Sequence, residues 1–154
     1  MMNVPTQFSS SGKTREHDAT SRSGLSAACH TMERTLRVLL VEDAPFLRYA
    51  FGRLLRLEGF EVKEVNDGQE ALDCLAMFRP DLVLTDLMMP VMGGVELISH
   101  IRANPEYTEL PVVAITADAT EQAERQARKA GAADVITKPI DLTALLERLK
   151  LLVH

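Results

Sequence analysis

The stretch Asp81-Leu82-Val83-Leu84-Thr85-Asp86 decides the fold of this 154-residue chain. Leu82, Val83 and Leu84 are apolar on consecutive positions, as a strand covered on both faces must be. Val38-Leu39-Leu40-Val41 upstream and Val112-Val113-Ala114-Ile115 downstream read the same way. The run from Phe60 to Val65 alternates instead, with Val62 and Val65 set against Lys63 and Glu64, and suits an edge strand. Val135-Ile136 supplies a fifth strand.

Helical spacing fills the intervals. Pro45 fits a first helical turn, where its missing N–H costs nothing. Phe46, Leu47, Ala50, Phe51, Leu54 and Leu55 then recur as an inward face, and Gly59 suits the cap. A second helix is expected from about Gly68 to Met77, with Ala71, Leu72 and Leu75 inward. A third uses Val95, Leu97, Ile98 and Ile101, and a last one Leu142, Leu145, Leu146, Leu149 and Leu152. The fourth, about Thr120 to Ala130, offers mainly Ala123, Ala127 and Ala130. So small an inward face buries little area, and this helix is expected to be loosely held. Five β-α alternations call for an open α/β domain, a parallel sheet with helices on both faces. They are too few for an eight-stranded barrel.

Residues 1–35 are rich in Ser, Thr, Gly and scattered charge, with almost no periodic apolar positions. Such a segment cannot offset its ordering entropy and is expected to be a disordered tail ahead of a domain at 36–154. Its Ser9-Ser10-Ser11-Gly12 run reads as a linker, and Met32 as a possible alternative start. The formal net charge is −5, and 19 of the 22 acidic residues lie in 37–154. That balance argues against sequence-independent nucleic-acid binding, which needs clustered Lys and Arg. Cys29 and Cys74 share no metal-ligand or redox spacing and read as free thiols. No apolar run is long enough to span a bilayer, and the N-terminus lacks a signal-peptide stretch, so the expected location is the cytoplasm.

The polar residues fall at the strand ends. Glu42 and Asp43 follow the first strand, Asp86 ends the third, Thr116 the fourth and Lys138 the fifth. In open α/β sheets the carboxyl ends of the strands form the ligand crevice. A single Asp after a strand is often only a helix cap. Polar groups from four strand ends on one edge point to a site. Clustered carboxylates repel unless a cation joins them, and oxygen-only ligation with few protein groups suits Mg²⁺. A carboxylate can also attack phosphorus, with a hydroxyl and an ammonium offsetting the charge gathered there.

On these motifs the segment Arg37 to Val153 resembles the receiver domain of two-component response regulators. The matching pieces are Leu40-Val41-Glu42-Asp43, Asp81 to Asp86 running into Met89-Pro90-Val91-Met92-Gly93-Gly94, Pro111 to Ala117, and Gly131 to Pro139. The resemblance implies a five-stranded parallel sheet of order 2-1-3-4-5 flanked by five helices. It implies that Asp86 is the phosphoacceptor, with Thr116 and Lys138 contacting the phosphoryl group. Glu42, Asp43, Asp86 and the backbone carbonyl of Met88 would hold Mg²⁺. The implied donor is a phosphohistidine on a sensor histidine kinase or a histidine phosphotransfer protein. A Lys138-Pro139 cis bond is also implied.

Two positions depart from the pattern. Val135 stands where an aromatic usually swings inward with the threonine, and Gly93 where many members carry Asp. Met88 and Asp118, two residues beyond Asp86 and Thr116, are expected to set the lifetime of the phosphoryl group. Met88, Met89 and Met92 are expected to cover the crevice and pack under the third helix. His17, His30, His100 and His154 share no ligand spacing.

A dehalogenase-like phosphatase would need a second acid where Met88 stands, and a flavodoxin-like carrier a phosphate loop where Glu42-Asp43-Ala44-Pro45 stands. A phosphorylation-independent docking module is the remaining alternative. With no output module after Leu152, the expected action is on a downstream protein target, without direct DNA binding and without a membrane.

Overall fold

The computed structural model describes residues 34–153. The expected tail, with Cys29, His17 and His30, lies almost wholly outside the described residues, as does His154. The elements in chain order are β1 (Arg37–Val41), α1 (Pro45–Leu57), β2 (Glu61–Val65), α2 (Gly68–Phe78) and β3 (Leu82–Asp86). They continue with α3 (Gly94–Ala103), a single 3₁₀ turn (Pro105–Tyr107), β4 (Val112–Thr116), α4 (Glu121–Ala130), β5 (Asp134–Thr137) and α5 (Leu142–Leu152).

The five strands form one parallel sheet of order β2-β1-β3-β4-β5. β3 and β4 are buried at every position and β1 at all but its first, because helices cover both faces. Alternate side chains therefore enter two cores. Leu39, Val41, Val83, Val112 and Ala114 meet Ala71 and Leu75 of α2 and Leu97, Ile98 and Ile101 of α3. Val38, Leu40, Leu82, Leu84, Val113 and Ile115 meet Leu55 of α1 and Leu145 and Leu149 of α5. Each fully buried Leu or Ile contributes about 1.5–3 kcal/mol relative to exposure.

The β2 edge is guarded. Arg56 reaches from α1 to donate through Nη2 to the Val62 carbonyl at 3.0 Å and through Nη1 to Glu64 Oε2 at 2.6 Å. Its guanidinium thus occupies an edge acceptor that another strand could otherwise pair with.

Helix ends follow from local chemistry. Asp67, Thr120 and Asp141 cap α2, α4 and α5 by accepting from backbone N–H groups. α1 begins at Pro45 without a side-chain cap, and Gly59 follows it at φ 99°. The expected inward face of α1 needs one correction: Phe46 is 80% exposed and Leu54 lies at the surface. Both sit off the stripe centred on Leu55, which touches the sheet.

Candidate functional site

Parallel pairing brings the strand ends to one edge. Asp86 lies opposite Ile115, and Thr116 opposite Thr137. The Leu87 N–H continues the ladder to the Ile115 carbonyl at 3.0 Å, and the Lys138 N–H to the Thr116 carbonyl at 2.8 Å. The sheet register therefore sets the spacing of Asp86, Thr116 and Lys138, which are far apart in sequence. The Lys138-Pro139 bond is cis, as the resemblance implies.

Carboxylate oxygens of Glu42, Asp43 and Asp86 all lie within 4.8 Å of one another. Lys138 Nζ reaches Asp86 Oδ2 at 2.9 Å and Glu42 Oε1 at 3.7 Å. The other Asp86 oxygen, Oδ1, accepts the Met88 N–H at 2.9 Å. Asp86 is nearly buried, and Glu42 is 3% exposed. Burial, and then the charge of Asp86, push the Glu42 carboxyl up to about 7, against the Ala44 N–H and Lys138, which favour its charged form. Burial also opposes the Lys138 charge. The hydrogen bond to Asp86 and the charges of Asp86 and Glu42 outweigh it, and the ammonium titrates above its ordinary value.

This is a carboxylate cluster with one ammonium against it, an excess of negative charge at a nearly dry edge. A hard divalent cation fits such donors. Three carboxylate oxygens converge, and among the described residues no cysteine or histidine joins the cluster.

Thr116 is 1% exposed, and its hydroxyl oxygen accepts the Asp118 N–H at 3.0 Å, which leaves the hydroxyl proton to donate elsewhere. Asp118 turns outward and accepts the Thr120 N–H. The three methionines divide. Met92 is buried beside Gly68 at the start of α2, Met89 is half-buried, and Met88 is 72% exposed beside the acidic cluster. The expectation that all three pack under α3 therefore fails for Met88, whose backbone serves Asp86 while its side chain meets solvent.

Two supporting residues escaped the sequence reading. Arg48 donates through Nη1 to the Glu42 carbonyl at 2.9 Å and fixes the turn that presents the acidic pair. Gly94 lies so close to β3 that a Cβ there would collide with the Asp86 carbonyl and with Leu87. The Gly93-Gly94 pair was visible as a sequence signal, but only the close approach of α3 gives it a reason.

Residues 38–150 match the family model of the response regulator receiver domain. The chain belongs to this family of two-component signalling domains. Among curated relatives, the response regulator MprA of Mycolicibacterium vanbaalenii is 36% identical over 119 residues, which cover 77% of this chain and 51% of the relative. The chain thus spans about half the length of the MprA relatives it matches. The polar-differentiation response regulator DivK of Brucella anthropi is 34% identical, over 73% of this chain and 92% of its own. A chemotaxis response regulator of Vibrio cholerae has a solved structure that superposes with TM-score 0.73 at 28% identity, over 77% of this chain and 99% of that one.

Among the described residues of this receiver, no helix is long and apolar enough to cross a membrane. Cys74 is a half-buried free thiol pushed up by burial, and His100 sits on α3 at 3.8 Å from Glu96, away from the acidic cluster.

Proposed function

We propose that this receiver accepts a phosphoryl group on Asp86 from a phosphohistidine of a sensor histidine kinase or histidine phosphotransfer protein. The observation that carries the reading is that one carboxylate, Asp86, belongs to the acidic cluster and also receives the Lys138 ammonium at 2.9 Å. A carboxylate held only for structure needs one of these partners, not both.

Glu42, Asp43, Asp86 and the Met88 carbonyl are the residues to hold Mg²⁺. When bound, Mg²⁺ supplies positive charge against the phosphoryl oxygens. In the transfer, an Asp86 oxygen forms the new P–O bond as the P–N bond to the donor imidazole breaks. The imidazole leaves with the bonding electrons and takes a proton. Lys138 then exchanges part of its contact with Asp86 for the added anion. The Thr116 hydroxyl donates to a phosphoryl oxygen, and the Met88 N–H keeps the Asp86 carboxylate oriented.

The resulting domain is a phosphoacceptor with intrinsic self-phosphorylation and self-dephosphorylation chemistry rather than a turnover enzyme. Its action is through a protein target rather than DNA, and the mixed charge of α4 agrees with that.

Incubation with acetyl phosphate and Mg²⁺, followed by intact-mass analysis, tests the reading. The wild type should gain one phosphoryl group, whereas Asp86→Ala, and the wild type in excess chelator, should gain none. A modification that persists in Asp86→Ala would overturn it.

A further inference from the structure

The acidic pair sits on a turn with few bonds of its own. The Glu42 N–H makes the last ladder bond of β1, to the Val65 carbonyl at 3.1 Å, and α1 begins at Pro45. Ala44 stands at the N-cap and has no side chain to cap with, and Pro45 has no N–H to be capped. The connection from β1 to α1 therefore lacks the side-chain capping that fixes α2, α4 and α5.

The two acids are held unequally. Glu42 Oε2 accepts the Ala44 N–H at 3.3 Å, and Oε1 lies 3.7 Å from Lys138 Nζ. Lys138 pairs with Glu42 and with Asp86, and leaves half-buried Asp43 without an ammonium. The direction of the Asp43 carboxylate is then set by its backbone.

Arg48 supplies that control. Its Nη1 donates to the Glu42 carbonyl at 2.9 Å, and its own N–H closes the first turn of α1 on the Ala44 carbonyl at 2.9 Å. The Glu42 carbonyl belongs to the peptide unit that joins Glu42 to Asp43. Because that unit is planar, a bond to its oxygen restrains ψ of Glu42 and φ of Asp43 together. Those two angles set one carboxylate against the other. The guanidinium is spent on this carbonyl, and among the described residues it forms no ion pair.

Divalent cations differ in what they ask of such a pair. Mg²⁺ demands near-ideal octahedral geometry at about 2.0–2.1 Å, whereas Ca²⁺ takes about six to eight oxygens at about 2.3–2.6 Å in flexible arrangements. Two carboxylates locked in one mutual orientation favour the smaller ion. A pair free to swing loses that preference.

We propose that Arg48 is a positioning residue that makes the crevice selective for Mg²⁺ over Ca²⁺, by locking the peptide plane between Glu42 and Asp43. The role rests on the acidic pair holding the metal, as proposed above, and not on phosphoryl transfer. A purely electrostatic role has the opposite sign, because removing a positive charge would tighten the binding of both ions.

Calorimetric titration of the full chain with MgCl₂ and, separately, with CaCl₂, without phosphodonor, tests the role. Arg48→Met keeps the apolar stem and removes the guanidinium. It should weaken Mg²⁺ by about 10-fold or more, the range for losing a partner that orients metal ligands, and Ca²⁺ by less than about 3-fold. Equal weakening of both ions would overturn the selectivity. Unchanged or tighter Mg²⁺ binding would overturn the positioning. Should Arg48→Met fail to fold, Arg48→Gln, whose side chain is two bonds shorter, carries the same comparison, and a wild-type ratio of the two affinities in it rejects the role.

Asp43→Asn separates this outcome from a failure of the metal site itself. If it binds Mg²⁺ as tightly as the wild type, the ion lies elsewhere and the acidic pair is not its site. If it loses Mg²⁺ while the Arg48 variant keeps the wild-type ratio, the pair holds the metal and Arg48 does not select it.

Discussion

Val91 follows Pro90 in the loop after Asp86 with φ 69°, and its side chain is 83% exposed. A β-branched residue in the left-handed region costs about 1–2 kcal/mol, and this one gains little packing in return. Val91→Asn, which tolerates that region, should stabilise the fold by about 1 kcal/mol in urea unfolding; a loss would show that the valine makes contacts worth more than its strain. Gly94 makes the opposite case. Gly94→Ala places a methyl against the Asp86 carbonyl and should destabilise by about 1–3 kcal/mol, with a measurable loss of phosphoryl acceptance as β3 shifts.

Glu42 ties stability to pH. Its folded value of about 7 lies above the ordinary 4.5, so the folded state holds a proton that the unfolded chain releases. Without added metal, stability is greatest below about 4.5 as far as this group is concerned, and falls as pH rises through 7. The melting temperature should drop between pH 5 and pH 8 by about 4 °C or more, and Glu42→Gln should flatten that slope. A slope unchanged in the variant would assign it to another group. None of this was legible in the sequence. Glu42, Asp43, Asp86, Thr116 and Lys138 could be picked from their places at strand ends, but strain at Val91 and the anchoring role of Arg48 depend on backbone geometry that no local pattern encodes.

At the scale of elements, β1, β3 and β4 announced themselves because burial on both faces demands unbroken apolar runs, and β2 because an edge strand alternates. α1 departs from its sequence expectation. Its sequence carries more apolar residues than its contact with the sheet can use, so periodicity alone placed Phe46 and Leu54 inside. α4 is weakly buried, as its alanine face predicts, with Ala127 its one fully buried residue. The guard on β2 belongs to this scale. Arg56→Ala should cost less than about 1 kcal/mol, because the ion pair is exposed, yet raise the aggregation rate on warming by freeing the Val62 carbonyl. Light scattering during a thermal ramp would register it, and scattering equal to the wild type would show that the edge is protected by other means.

Across the whole molecule, the sheet gathers charges that no single helix or strand would assemble. Repulsion within the acidic cluster costs the fold stability, and a bound cation should offset it. Mg²⁺ should raise the melting temperature in proportion to the logarithm of its concentration above the dissociation constant, and Asp43→Asn should blunt the rise. An equal rise in both would place the bound ion elsewhere. The fold class followed from the sequence because five β-α alternations leave few alternatives, and the sheet order was implied by the family resemblance, whereas the balance of charge at the crevice needed the register.

The position of β1 between β2 and β3 has a consequence for biosynthesis. β2, β1 and β3 neighbour one another in space and are complete once Asp86 has been made. Lys138 follows 52 residues later, about 3–10 s at ordinary translation rates. For that interval the nascent chain carries Glu42, Asp43 and Asp86 without their ammonium partner. An early-formed half-sheet would meet cellular cations before it meets its own lysine, so metal in the cytosol would act as a surrogate counter-charge during synthesis, ahead of any part in signalling.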